Sequence, residues 1–300
     1  MNQLITVGQL LDQTWDHYRD NFKELMTVSA WILILAVIDV LALSFYPSAS
    51  ELALGATLTG SEIFGVILAF ISSGILAPLL GLWLLIALSR LVRFQLAGRK
   101  NDVKSGKAGS GSAGKAMLEG FQYYWSGFYI SLLILLVLLA GLVIGLGPAF
   151  ILAAIMQVAS GGALIILFNL FLVLGIIAAF VLVFTWGVQF ILAPFALFME
   201  DQRGLNALKR SRELIKGRFW SVVLRIVIPK LIFMAVGVLL LAIIEYVIGL
   251  GITGVSGLNL DLQLRLGSLT RAAFPILIVA LLNPLMVIAD LVLYRDLMKK

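Results

Sequence analysis

Eighty consecutive residues of this chain carry no charged side chain, from the residue after Glu119 to the residue before Glu200. A helix needs about 20 apolar residues to cross the hydrocarbon core of a bilayer, so the run is long enough for two spans and a turn. Only 13% of all residues are charged and 61% are hydrophobic, whereas about a quarter are charged in soluble domains. The sequence therefore predicts an integral membrane protein.

Six apolar stretches are long enough to be transmembrane helices. They fall at residues 22–46, 63–94, 128–157, 163–199, 219–249 and 272–297. The predicted fold is all-α, a polytopic membrane protein that forms a single membrane domain over residues 1–300.

Lysine and arginine are distributed unevenly around these stretches. The two ends of the chain, the stretch 90–127 and the stretch 200–218 hold 18 of the 22 Lys and Arg residues, while the opposite loops hold only Arg265 and Arg271. Basic loops stay on the cytoplasmic side, so both termini are predicted to be cytoplasmic. The net charge of +6 is interpreted as this orientation signal, with anionic headgroups rather than nucleic acid as its neighbour. Residues 98–115 have the composition of a flexible basic loop.

An internal repeat is indicated by three sets of residues at helical steps of four, three and four, each placed where a span begins. The sets are Leu11, Trp15, Tyr18 and Phe22, then Met117, Phe121, Tyr124 and Phe128, then Leu208, Arg212, Ile215 and Phe219. A proline follows each set at a similar distance: Pro78, Pro194 and Pro284. The pattern predicts three repeats, at about 1–97, 115–200 and 201–300, each an interfacial amphipathic helix followed by a two-span hairpin.

Four charged residues interrupt the predicted spans: Asp39, Lys230, Glu245 and Asp290. Charges inside a membrane are costly and point to functional positions. Asp39 and Glu245 lie toward the outer ends of their spans, where contact with water or headgroups accounts for them. Lys230 and Asp290 both lie in the inner half of the last hairpin, so we predict an ion pair between them, the alternative being separate contacts with the headgroup layer.

Signatures of enzymes and cofactor sites are missing from the sequence. The chain has no cysteine and a single histidine, His17, and it contains neither a phosphate-binding GxxxxGK[ST] loop nor the zinc motif HExxH. We therefore predict no catalytic residue, no metal site and no cofactor. In the third span, Gly141 and Gly145 have the spacing of small residues that lets helices approach closely, and we interpret it as packing inside the bundle.

The segment from Pro194 to Trp220 resembles the hallmark of a known family. Its matching residues are Pro194, Glu200, Gly204, Ala207, Leu208, Arg210, Ser211, Leu214, Lys216, Gly217, Phe219 and Trp220. They are similar to the membrane domain attached to some glycerophosphodiester phosphodiesterases and to related six-span bacterial proteins, and the stretches VGQLLDQTWDHYRDNF and LYRDL resemble its opening and closing motifs. The resemblance implies a bacterial inner-membrane protein. It does not imply hydrolysis, which in that family belongs to a separate soluble domain.

These features favour a non-enzymatic membrane protein that is associated with lipids or accessory to another membrane protein. The alternative is a transporter of lipids or small solutes, because repeats and broken helices are common in transporters. The best candidates to line a substrate site are Asn169, Gln189 and Lys230, although a satisfied helix contact also explains each of them.

Overall fold

A computed structural model describes residues 4–47, 57–98, 111–158, 161–257 and 259–299. Within these ranges the chain is helical and forms no strand. Six helical segments are long and apolar enough to cross a membrane: Phe22–Ser44, Gly60–Leu96, Ala113–Met156, Gly162–Glu200, Phe219–Ser256 and Leu262–Met298. The predicted all-α fold with six spans is confirmed, and the chain is a multi-pass membrane protein.

The elements follow one another as a series of α-helices with two irregular helical segments. The α-helices are α1 (Val7–Asp20), α2 (Phe22–Ser29), α3 (Leu33–Ser44), α4 (Gly60–Phe70), α5 (Ala77–Gly98), α6 (Gly111–Met156), α7 (Gly162–Phe190), α8 (Ala193–Glu200), α9 (Leu205–Ile215), α10 (Phe219–Ser256) and α11 (Leu260–Met298). A 3₁₀ turn, Ala30–Ile32, joins α2 to α3, and a π-helical stretch, Ile71–Leu76, joins α4 to α5.

Two helices begin earlier than the sequence predicts. The third span was predicted from residue 128, but α6 runs without a break from Gly111. The loop predicted over 250–271 is mostly helical, because α10 continues to Ser256 and the Asn259 side chain caps α11 by accepting a hydrogen bond from the Leu262 amide. Neither extension contains a proline that would end a helix. The predicted flexible loop 98–115 lies outside the described residues, except for residues 98 and 111–115.

The chain divides into two compact units whose boundaries fall within α6 and α10. The first unit holds the described residues up to Tyr124 and those from Arg225 onwards, and the second runs from Trp125 to Leu224. In the first unit α11 is central, packing against α1, α2, α3 and α5. Of its most apolar window 61% is buried, against 28% or less for every other span. Helix α11 is therefore the core of the first unit.

Pro284 explains part of the packing around α11. A proline has no amide hydrogen, so the carbonyl four residues earlier, that of Ala280, loses its partner within the helix. The hydroxyl of Ser29 donates a hydrogen bond to this carbonyl at 2.5 Å, and the Tyr18 hydroxyl donates to the next one, that of Leu281, at 3.1 Å. Helix α2 thus satisfies the carbonyl that the proline leaves open, and α1 contacts the neighbouring carbonyl.

In the second unit the hairpin of α6 and α7 is held by a close crossing of small residues. A Cβ atom on Gly145 would lie 2.6 Å from the Ala179 backbone, and one on Gly175 would lie 2.6 Å from the Gly145 carbonyl oxygen. Gly141 packs against the ring of Trp186, where a Cβ would be 3.3 Å away. The predicted role of Gly141 and Gly145 in packing inside the bundle is confirmed.

Three amphipathic segments dock in a similar way, each described within its own unit. Helix α1 packs on α11, the start of α6 packs on α5 through Phe121 and Trp83, whose ring centroids are 5.4 Å apart, and α9 packs on α7 and α8. At the same register position the three segments carry a fully buried residue: Leu10, Ala116 and Ala207. Each segment therefore rests on the second span of a predicted repeat other than its own.

Candidate functional site

The two charges predicted to pair inside the last hairpin are in contact. Lys230 Nζ of α10 lies 2.8 Å from Asp290 Oδ2 of α11. The side chain of Asp290 is 11% exposed and that of Lys230 29% exposed. A carboxylate this deep in an apolar helix would be strongly destabilising alone, so the ammonium group next to it offsets much of that cost.

The other two predicted charges lie apart from this pair. Asp39 is half-buried in α3, and Glu245 is half-buried in α10, 15 residues beyond Lys230, which is about 22 Å of helical rise. Within the described part of the chain neither carboxylate forms an ion pair. Their positions give the Lys230–Asp290 pair no additional charged partner.

Two of the candidate lining residues for a substrate path, Asn169 and Gln189, lie far apart on one helix. Asn169 is exposed on α7, and its side-chain amide donates to the Ile165 carbonyl of the same helix at 3.0 Å. Gln189 lies 20 residues further along α7, about 30 Å away by helical rise. Asn169 thus has a satisfied contact within its own helix.

A basic cavity lies beside α9 in the second unit. It has a volume of about 420 Å³, and three cations line it: Lys209 and Arg212 on α9, and Lys216, the residue that follows α9. The cavity is also lined by Gln189, Glu213, Ile215, Gly217 and Phe219. Among the described residues none of the three cations forms an ion pair. The lining is therefore mostly basic, with apolar surface from Ile215 and Phe219.

Local backbone geometry places these cations. Gly204, with φ of +57°, precedes α9, and Gly217, with φ of +77°, follows it, so both adopt the left-handed conformation that favours glycine. The turn at Gly217 brings Phe219, the first residue of α10, against Phe184 of α7 at a centroid distance of 6.1 Å. The last turn of α9 therefore ends directly beside the start of a span.

The buried face of α9 fixes which side of the helix is basic. Ala207, Leu208 and Ile215 are buried beneath it. The buried Ser211 hydroxyl donates to the Gln189 carbonyl at 2.6 Å, near the break between α7 and α8 that precedes Pro194. Arg210, at the edge of the helix, forms a salt bridge in which its Nε atom lies 2.9 Å from Glu200 Oε2. With these contacts made, the lysines and Arg212 are left on the exposed face.

Residues 110–293 match the model of a family described as a domain of unknown function, DUF7847. The chain belongs to this family. No curated protein and no solved structure matches the chain.

The DUF7847 match covers both the basic cavity beside α9 and the Lys230–Asp290 pair. Outside the match, the main chain of the N-terminal segment contacts Arg225, which lies in the matched region, and Asp296, which follows it. The amide of Ile5 donates to Asp296 Oδ2 at 2.9 Å, and its carbonyl accepts from Arg225 Nε at 2.6 Å. Sequence reasoning missed this contact, because a peptide group carries no residue-specific signal. The charge of Arg225 within the fifth span was the feature of the sequence that indicated a polar contact in this region.

A second polar cluster of the first unit connects α1, α2 and α5. The ring of His17 lies 2.9 Å from the Gln95 side-chain oxygen, and the Gln95 side-chain amide donates to Glu24 at 2.9 Å. Nearby on α1, burial raises the pKa of the Tyr18 hydroxyl. Since its proton is held in the bond to Leu281, this tyrosine stays neutral at ordinary pH.

Arg90 joins α5 to the start of α6. Its guanidinium lies over the ring of Tyr123 at 3.7 Å, and its Nε atom is 3.7 Å from Glu119 Oε2. Arg90 is only 4% exposed and lies near the end of the span Gly60–Leu96. These contacts give this cation both a carboxylate and an aromatic partner. The residues that sequence analysis counted as orientation signals thus also hold helices together.

Proposed function

We propose that this protein is a non-enzymatic integral membrane protein that binds anionic lipid headgroups at the cytoplasmic face of a bacterial inner membrane. The observation that carries the proposal is the cavity beside α9, where three cations form no ion pair among the described residues and outnumber the one carboxylate of the lining, that of Glu213. Basic pockets at the cytoplasmic ends of transmembrane helices are a recurrent form of anionic lipid site.

The position of the cavity along the chain supports a headgroup as its occupant. One of its lining residues, Phe219, begins a span, and the next residue, Trp220, is 68% exposed. Tryptophan concentrates at the boundary between hydrocarbon and water. The cations of α9 precede this tryptophan in the chain, so they belong at the level of the phosphates.

The resemblance to the membrane domain of glycerophosphodiester phosphodiesterase proteins fits this reading. Several of the residues that carry it shape the α9 region: Gly204 and Gly217 bound the helix, Ser211 anchors it, and Arg210 pairs with Glu200. The proposed role is therefore in lipid handling or in support of another membrane protein.

A threefold repeat is part of the proposal. It is supported by the similar docking of α1, the start of α6 and α9, each on the second span of another hairpin. Three amphipathic segments of the same kind would anchor the protein in the headgroup layer at three places.

Lipid binding to matched charge variants tests the proposal. The double variant Lys209→Gln/Lys216→Gln and the double variant Arg265→Gln/Arg271→Gln each remove two positive charges, the first beside the cavity and the second in the region predicted to lie outside the cell. In vesicles of phosphatidylcholine with phosphatidylglycerol, we expect only the first variant to retain fewer anionic lipids, measured by quantifying co-purified lipid. Equal retention by both variants and the natural protein would refute the proposal.

Transport of a lipid or small solute is the second candidate function. The Lys230–Asp290 pair favours it, because a charged pair within a span is a feature of substrate and proton pathways. Solute or lipid flux into proteoliposomes that is lost in Asp290→Asn would establish transport, and flux at the level of protein-free vesicles would exclude it for the solutes tried.

A further inference from the structure

The three cations beside the α9 cavity are spread along the helix in a way that bears on the charge of the ligand. Lys209, Arg212 and Lys216 are separated by steps of three and four residues, so they lie on one face and span about 10 Å of helical rise. A phosphodiester carries one negative charge, so a headgroup with a single phosphate balances only one of these three cations. A headgroup with two phosphates brings two negative charges to the row.

The surrounding carboxylates neutralise this row only in part. Glu200 is held by Arg210 at 2.9 Å, and Glu213 lies 3.9 Å from the same arginine. Among the described residues the three cations form no ion pair, but Glu213 also lines the cavity, so the lining keeps a net charge of +2. Like charges at neighbouring positions on a helix repel one another, so a ligand with several negative charges gains more here than one with a single charge.

The rest of the cavity suits the glycerol or hydrocarbon portion of a lipid. Ile215 and Phe219 supply apolar surface, and Gln189 supplies one neutral polar side chain. A volume of about 420 Å³ is larger than one phosphate group requires. Basic and apolar lining residues together fit an amphiphile rather than a free inorganic anion.

We propose that the α9 cavity binds a lipid whose headgroup carries two phosphate groups. The inference rests on the proposed function, since it specifies the class of lipid held at the same site. Two kinds of membrane lipid share this chemistry: a diphosphatidylglycerol, with two phosphates joined through glycerol, and a polyprenyl diphosphate, with two phosphates bonded directly.

The test uses the full-length protein in nanodiscs of phosphatidylcholine, with binding measured by native mass spectrometry. Cardiolipin, a polyprenyl diphosphate and phosphatidylglycerol are titrated separately, with phosphatidylglycerol at twice the molar concentration of cardiolipin so that the phosphate count is equal. A lipid with two phosphates should bind about tenfold more tightly than phosphatidylglycerol, because a charge-assisted hydrogen bond contributes that much or more. Whichever of cardiolipin and the polyprenyl diphosphate binds more tightly than phosphatidylglycerol is the kind of lipid that supplies the two phosphates.

The variant Arg212→Gln should abolish this preference, because it removes the central cation of the row. Arg265→Gln, which removes an exposed cation outside the cavity, should leave the preference intact. The thermal unfolding midpoint of each variant in detergent checks that the helices remain folded. Since Arg212 is exposed, its replacement should leave that midpoint unchanged.

Two results would overturn the inference, and they are distinguishable. If phosphatidylglycerol binds as tightly as both two-phosphate lipids, and Arg212→Gln weakens all of them alike, the cavity is a general anionic site and only this inference fails. If none of the three lipids binds more tightly than phosphatidylcholine, the proposed headgroup binding fails as well.

Discussion

Polar side chains in this protein satisfy backbone groups that the helices cannot satisfy themselves. Ser29 and Tyr18 donate to carbonyls of α11 at the turn opened by Pro284, and Ser211 donates to a carbonyl at the end of α7. In an apolar environment an unsatisfied carbonyl is expensive, because no water can replace the missing donor. Individual hydroxyl groups therefore carry more weight here than in a soluble protein.

Ser29→Ala should lower the free energy of unfolding by about 1–3 kcal/mol, because the Ala280 carbonyl would lose its donor. Ser44→Ala is the control, since that hydroxyl bonds to the Val40 carbonyl of its own helix at an exposed position. Its effect should stay within about 0.5 kcal/mol. Unfolding in detergent with increasing denaturant measures both, and equal losses would contradict the role assigned to Ser29.

The Lys230–Asp290 pair gives a second prediction at the scale of residues. Lys230→Met or Asp290→Asn alone leaves one group in the span without its partner. For Lys230→Met, which strands a charge, we expect a loss of about 3–5 kcal/mol. The double variant should lose less unfolding free energy than the two single variants lose together. Glu245→Gln, which changes another charge on the helix of Lys230, serves as the control. Strictly additive losses in a double-mutant cycle would show that the two side chains do not interact.

At the scale of elements, close approach of helices is decided by where glycine occurs. In the hairpin of α6 and α7, Gly145 and Gly175 face one another with no room for a side chain, whereas Gly147 has open space around it. Lipid and protein are both apolar, so the gain from helix association in a membrane comes largely from this kind of close packing.

Gly145→Ala should lower the free energy of unfolding by about 1–3 kcal/mol through overpacking against Ala179. Gly147→Ala, two residues away, should be neutral or raise it by up to about 1 kcal/mol, because alanine is the better helix former. Thermal melting of the purified variants would compare them. A similar effect of both substitutions would contradict the close crossing.

At the scale of the whole molecule, orientation in the membrane follows from the distribution of charge. The chain contains no cysteine, so single cysteines can be introduced without a background signal. Lys216→Cys should be protected from a membrane-impermeant maleimide in intact cells, while Ser268→Cys should be labelled, because basic segments stay in the cytoplasm. Both residues are exposed in the structure. Labelling of Lys216→Cys before the cells are opened would reverse the predicted topology.

The candidate site was predictable only in part. Lys230 and Asp290 stand out in the sequence because each is a charge in an apolar stretch, and helical rise was enough to place them at similar depth. The row formed by Lys209, Arg212 and Lys216 was not predicted, because Arg212 was placed in one helical set with Leu208 and Ile215. Nor could the sequence show that Glu200 and Glu213 lie close to Arg210, while the row forms no ion pair among the described residues.

The sequence by itself determined that the chain is helical and has six membrane-spanning segments. The thickness of the hydrocarbon core sets the length of apolar sequence that a span needs, and this length can be measured directly along the sequence. Tertiary structure alone decided that α11 is the buried centre of the first unit and that the Ile5 peptide lies between Arg225 and Asp296. The physical reason is that residues facing lipid and residues facing other helices are equally apolar, so the sequence does not distinguish them.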